Sequence, residues 1–152
     1  MPGVTVKKHI EAPLEKVFEQ ATDIPRWAEQ IEGIKRIEML TDGPVCVGTK
    51  FRETRIMFGR EATEEMEVTE FDAPRFYAVN AENHGCVYHT KVTFSPNGSG
   101  TDVEMVFEAT PLTAMAKLMA TMMKGMMGKL ADVCGKDLDD LKAAIESSQA
   151  TP

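Results

Sequence analysis

The chain has 152 residues, and its 17 Lys and Arg against 24 Asp and Glu leave a formal charge of −7. With 43% apolar and 27% charged residues it falls in the ordinary globular range, and it is long enough for one domain to bury a core without disulfide or metal staples. The negative field disfavours polyanions and anionic headgroups, no apolar run approaches the ~20 residues of a membrane span, and residues 1–8 hold no hydrophobic signal core. Nucleic acid and membrane insertion are therefore not expected, and the cytoplasm is the expected location.

Val4, Val6, Ile10 and Ala12 share one parity and Thr5, Lys7, His9 and Glu11 the other, the period of a half-buried strand. Pro13 has no backbone donor to lose at a helix start, and Leu14, Val17, Phe18 and Ala21 follow at helical spacing. Asp23 is placed to cap a second short helix, with Pro25 early in the turn, Trp27 and Ile31 inward and Gly33 as the stop. Turn clusters at 41–44, 58–59, 72–74, 83–85 and 96–100 then separate six extended stretches, 34–40, 49–57, 60–71, 75–82, 86–95 and 101–110. Connections this short make neighbours antiparallel. Tyr88, Thr90, Val92 and Phe94 share a face, as do Val103, Met105, Phe107 and Ala109, with Glu104, Glu108 and Thr110 opposite.

Pro111 ends the sheet. The proline-free stretch from Thr113 to about Ser147, rich in Ala, Met, Leu and Lys, reads as one long helix bent at Gly125 or Gly128. The predicted class is α+β: a seven-stranded curved antiparallel sheet, two short helices and one long C-terminal helix, with residues 1–148 as the domain and 149–152 as a disordered polar tail. A twisted sheet curling around a long helix leaves room for a cavity between them.

The run Ile10-Glu11-Ala12-Pro13-Leu14-Glu15-Lys16-Val17-Phe18, followed by Asp23 and Trp27, resembles the opening of the START-like (SRPBCC) superfamily and, within it, the polyketide cyclase/dehydrase-like branch. Val47-Gly48-Thr49, residues 68–75, and Asp137, Leu138, Leu141 and Lys142 extend the likeness over nearly the whole chain. The resemblance implies a helix-grip fold with a deep pocket for a hydrophobic or amphipathic molecule between sheet and last helix. It implies no particular activity, because the matched positions are mainly turns, caps and core anchors, and aromatases, cyclases, lipid carriers, hormone receptors and chaperone activators share such a scaffold.

Six of the eleven methionines fall within thirteen residues: Met115, Met119, Met122, Met123, Met126 and Met127. Met115, Met119, Met122 and Met126 form a stripe continued by Leu130, and Leu118, Met123 and Met127 widen it. Unbranched thioethers refill space when its occupant changes, so the stripe suits a variable apolar ligand; core packing and self-association through a homodimer remain the competing explanations. Glu64 alternates with Ala62, Met66 and Val68, and if that parity is inward its carboxyl enters an apolar space, where its pKa should rise and fit it as a general acid or ligand anchor. A nearby arginine would reverse that shift.

On the neighbouring strand Phe51, Glu53, Arg55 and Met57 form one parity and Arg52, Thr54, Ile56 and Phe58 the other, with the buried face undecided between them; surface pairing is the competing role for these charges. Tyr88 and Thr90 are candidates to hydrogen-bond a ligand carbonyl, with Asn80 on the strand before, although a tyrosine also serves as core. His9 and His89 have solvent-facing parity, and His84 lies in a turn, where an exposed loop position is the favoured reading and the cavity rim the alternative. Cys46, Cys86 and Cys134 fit neither a disulfide framework nor a metal site and read as reduced thiols, the last two as small core or pocket residues.

No metal, phosphate-loop or nucleophile-elbow motif is present, so neither cofactor nor metal is expected and no catalytic residue is assigned. The favoured reading is binding of a hydrophobic or aromatic small molecule by Glu53, Arg55, Glu64, Met66, Tyr88, Thr90, Met105, Phe107, Met115, Met119, Met122 and Met126. The alternatives are a cyclase/dehydratase-like enzyme using cavity carboxylates and an interaction module working through the Met-rich helix.

Overall fold

The computed structural model describes residues 3–83, 85–122 and 124–150. Seven strands, β1 (Gly3–Ile10), β2 (Ile34–Met39), β3 (Lys50–Met57), β4 (Arg60–Asp72), β5 (Phe76–Asn83), β6 (Cys86–Asn97) and β7 (Gly100–Pro111), form one curved sheet in the order β1-β7-β6-β5-β4-β3-β2, with each neighbouring pair antiparallel. From β1 the chain crosses to the far edge through α1 (Leu14–Ala21), a 3-10 turn (Ile24–Arg26) and α2 (Trp27–Gln30). Strands β2 to β7 then meander back. At the β3–β4 turn Phe58 and Gly59 have φ of 52° and 79°, the doubly positive pair that suits a two-residue hairpin to strand twist.

Asp23 stands at the entry to the second helical segment but makes no side-chain cap. The donors it was expected to satisfy are already used: Ile24 N–H donates to the Thr22 carbonyl at 2.8 Å, Arg26 N–H donates to the Asp23 carbonyl at 3.0 Å, and Pro25 has no N–H. Trp27 donates its indole N–H to the Ala21 carbonyl at 2.9 Å, and the segment ends at Gln30, short of Gly33.

The expected single helix after β7 is two helices. α3 (Ala114–Met122) is followed by a 3-10 turn (Lys124–Met126) and then by the long C-terminal helix α4 (Met127–Ala150). Gly125 and Gly128 each weaken helical backbone by about 1 kcal/mol relative to alanine, and the break falls beside them. α4 runs to Ala150, so the expected tail is helical at 149 and 150, while residues 151 and 152 lie outside the described residues.

The core lies at one end of the sheet. Val68 and Phe71 late in β4, Tyr77 early in β5, Val92 and Phe94 late in β6 and Val103 early in β7 are brought side by side by the antiparallel registers, as the partners Phe71↔Tyr77, Tyr77↔Val92 and Phe94↔Val103 record. Over them pack Val17, Phe18, Ile24 and Trp27, with Leu138, Leu141 and Ile145 of α4. Phe18 meets Phe71 and Phe94 edge-on at 5.4 and 5.2 Å, and Trp27 meets Phe51 at 5.5 Å. Each such pair contributes roughly 0.5–1.5 kcal/mol beyond its buried area. Lys142 Nζ donates to the His9 carbonyl at 2.7 Å, and Glu146 accepts from the Glu11 N–H at 2.8 Å, fastening the second half of α4 to the end of β1.

Candidate functional site

The other end of the sheet is hollow. Late β3, early β4, late β5, early β6 and late β7 surround a cavity of about 950 Å³, closed from above by α3 and the first half of α4. Small side chains make the room: Ala62, Ala81, Ala109, Ala116 and Gly85 border it where the packed end carries rings. Gly85 has φ of 74°, and a Cβ there would come within 2.9 Å of Thr113 Oγ1. Its carbonyl accepts from the Leu112 N–H at 2.7 Å, so the β5–β6 turn seats the start of α3 beside the mouth.

Both undecided strand faces resolve the same way. Glu53, Arg55 and Met57 of β3 and Ala62, Glu64 and Met66 of β4 border the cavity, whereas Thr54 hydrogen-bonds Thr63 at 2.8 Å on the opposite parity. Tyr88 and Thr90 of β6 and Met105 and Phe107 of β7 complete the wall, the Tyr88 and Phe107 rings stacking at 5.9 Å. Asn80, considered for the same role, is hydrogen-bonded to His89, its register partner, and does not line the hollow. His9 bonds Asp102 at 2.7 Å and also Glu11, and those two acids raise its pKa away from the cavity. His84 and Met123 lie outside the described residues.

The methionine stripe divides at the helix break. Met126 and Met127 are half-buried in the wall, and Met115 and Met119 border the cavity from its rim, Met115 being 76% exposed. Met122 does not line it: at 72% exposure it points outward with Leu118 and Leu112. The turn at Lys124–Met126 ends the helical register that would have carried Met122 onto the same face as Leu130.

The polar centre of the cavity is an ion cluster. Arg55 donates from Nε to Glu53 and from Nη2 to Asp137, both at 2.8 Å, and the three side chains are only 13%, 7% and 17% exposed. Burial pushes the carboxyl pKa of Glu53 and of Asp137 up, with Arg55 opposing in both cases. Burial alone would lower the Arg55 pKa, but the two carboxylates overcome it and hold the guanidinium firmly charged. Tyr77 lies against this cluster, its pKa raised by burial and then by Glu53 and Asp137. Glu64 accepts from the Asn83 amide at 3.4 Å. Cys86 and Cys134 also border the cavity, and burial pushes the Cys134 thiol up to about 11, which leaves it protonated and unreactive near neutrality.

Asp137 and Tyr77 join the site without standing among the residues that the sequence pattern points to. A signal for Asp137 exists: Leu130, Val133, Cys134, Asp137, Leu138 and Leu141 form one helical stripe, and a lone aspartate on an apolar face asks for a buried cationic partner. Among the described residues, no three His, Cys, Asp or Glu side chains converge closely enough to hold a metal ion, and no helix is long and apolar enough to cross a membrane.

The family model described as "Polyketide cyclase / dehydrase and lipid transport" matches residues 1–146. The chain belongs to that family. Among solved structures, a protein from Thermus thermophilus superposes with a TM-score of 0.80 at 19% identity, covering 97% of this chain and 99% of that one. A START superfamily protein from Mycobacterium smegmatis gives 0.72 at 13% identity over 95% and 97%. The di-domain ARO/CYC protein StfQ of the steffimycin biosynthetic pathway gives 0.72 at 13% identity, with 98% of this chain matched to 52% of that one. At such identities these likenesses establish the START-like helix-grip fold and nothing finer. No curated protein matches the chain.

Proposed function

We propose that the protein binds a hydrophobic or aromatic small molecule inside the cavity. The observation that carries this reading is the hollow of about 950 Å³, walled chiefly by apolar side chains and bordered by a few convergent polar ones. Its size lies at the upper part of the roughly 300–1,000 Å³ range of small-molecule sites. The rim methionines offer an adaptable edge, and the Glu53–Arg55–Asp137 cluster gives one fixed polar end. N-phenyl-1-naphthylamine, an apolar dye uncharged at neutral pH, tests it: its fluorescence should rise on binding, and Ala109→Phe should suppress that rise by filling the hollow while leaving the melting temperature unchanged or higher. A protein that gives no fluorescence gain, or an Ala109→Phe variant that binds as well as wild type, defeats the reading.

A second reading, a cyclase- or dehydratase-type reaction, draws on Glu53 and Asp137, which face the same hollow with raised pKa values suited to proton transfer. Orientation of a flexible chain by the walls would supply much of the rate. A third, docking of a partner through the Met-rich segment, draws on the outward Leu118 and Met122. Light scattering of a Met122→Lys variant separates it from the first: an oligomer lost with dye binding intact belongs to an interface.

A further inference from the structure

We infer that the cavity selects apolar molecules with a cationic head, alkyl or aryl amines, over those with a carboxylate head; this rests on the cavity-binding reading above. Among the described residues the acidic and basic side chains bordering the hollow are Glu53, Glu64, Asp137 and Arg55, and no lysine or histidine joins them. Three carboxylates thus face one guanidinium. Arg55 is already engaged at 2.8 Å by both Glu53 and Asp137, while the protein partner of Glu64 is the neutral Asn83 amide at 3.4 Å.

The strand register sharpens the imbalance. Glu53 and Glu64 are direct partners across β3 and β4 and both border the cavity. Like charges directly opposite on one sheet face repel, and the low dielectric of an apolar hollow enlarges the effect. The Tyr77 hydroxyl adds a neutral group beside these charges: it belongs to a buried side chain that borders the hollow and has no hydrogen-bond partner among the described residues. An ammonium head offers three donors, enough for a Glu53 or Glu64 oxygen, an Asp137 oxygen and the Tyr77 oxygen, through charge-assisted bonds. A carboxylate head placed there would meet repulsion from three acids and a guanidinium already in use. Because Glu53 and Asp137 lie against the core residue Tyr77 while Met115, Met119 and Phe58 stand at the exposed rim, the amine enters head first and leaves its apolar tail toward the mouth.

Displacement of N-phenyl-1-naphthylamine by dodecylammonium, dodecanol and dodecanoate, each below its micelle concentration at pH 7, tests this directly. Dodecylammonium should bind about tenfold or more tighter than dodecanol, with dodecanoate weakest. Glu64→Gln and Asp137→Asn should each reduce the ratio of ammonium to dodecanol affinity severalfold, and exposed Glu15→Gln should leave that ratio unchanged. Dodecanoate binding as tightly as the ammonium overturns the inference while leaving the cavity reading intact, because dodecanol still displaces the dye. An ammonium lead that persists in both cavity variants also overturns it, since the attraction then comes from the acidic surface at large. Absence of dye binding defeats the cavity reading itself and this inference with it.

Discussion

The two ends of the sheet use the same seven strands and reach opposite outcomes. Where α1, α2 and the second half of α4 lie, Phe18, Phe51, Phe94 and Trp27 mesh with Leu138, Leu141 and Ile145 and little space is left. Where α3 and the first half of α4 lie, the strands carry Ala62, Ala81, Thr90 and Ala109, and the helices hold methionines at the rim rather than rings in the middle. Residue volume is thus distributed unevenly along each strand. Protein interiors are close-packed when shapes allow, so a hollow persists only where an independently packed region supplies the stability. The packed end is thus a scaffold and the hollow end a site with freedom to vary.

Breaking the packed end should have the largest effect. Phe51 is fully buried against Trp27, and Phe51→Ala should cost about 3–5 kcal/mol in urea unfolding, by lost transfer energy plus the void left behind. A loss under about 1 kcal/mol would mean that the two ends do not differ as described.

Next comes the ion cluster where the ends meet. Arg55→Met should cost about 3 kcal/mol at pH 7, because it leaves two buried carboxylates without their cation. Burial raises the Glu53 and Asp137 pKa values above their ordinary ones, so the native state retains protons that the unfolded chain releases. Stability contributed by these groups therefore falls as pH rises from the ordinary carboxylate pKa, about 4, through the raised native values. Without Arg55 that fall is steeper. The penalty of Arg55→Met should consequently shrink toward pH 4 and grow toward pH 7, and an equal penalty at both would remove the cluster from the electrostatic account. Least affected should be the rim: Met119→Ala should change stability by no more than about 0.5 kcal/mol while altering dye affinity, which separates binding from folding.

The elements were largely legible because strand alternation and turn chemistry are local. The stretch read as 60–71 is β4 (Arg60–Asp72), and the Phe58-Gly59 hairpin falls where glycine follows an aromatic in a two-residue turn. Glu53, Arg55, Glu64, Met66, Tyr88, Thr90, Met105 and Phe107 border the cavity for the same reason, since parity carries a whole strand face inward together. Met122 lies off the cavity wall because its expected placement depended on unbroken helical phase across Gly125. The partnership of Arg55 with Asp137 spans 82 positions and could not be read from local spacing.

The amino-acid order by itself determined the strand faces, the turns, the family likeness and the concentration of thioethers before α4, because each follows from chemistry within a few neighbouring residues. Tertiary structure decided which strand faces border a hollow, that two of the carboxylates there converge on one guanidinium, and that the chain after β7 breaks into two helices over it. Those outcomes depend on how a curved sheet and two helices divide the space between them, a balance of long-range packing against backbone cost that no local window contains.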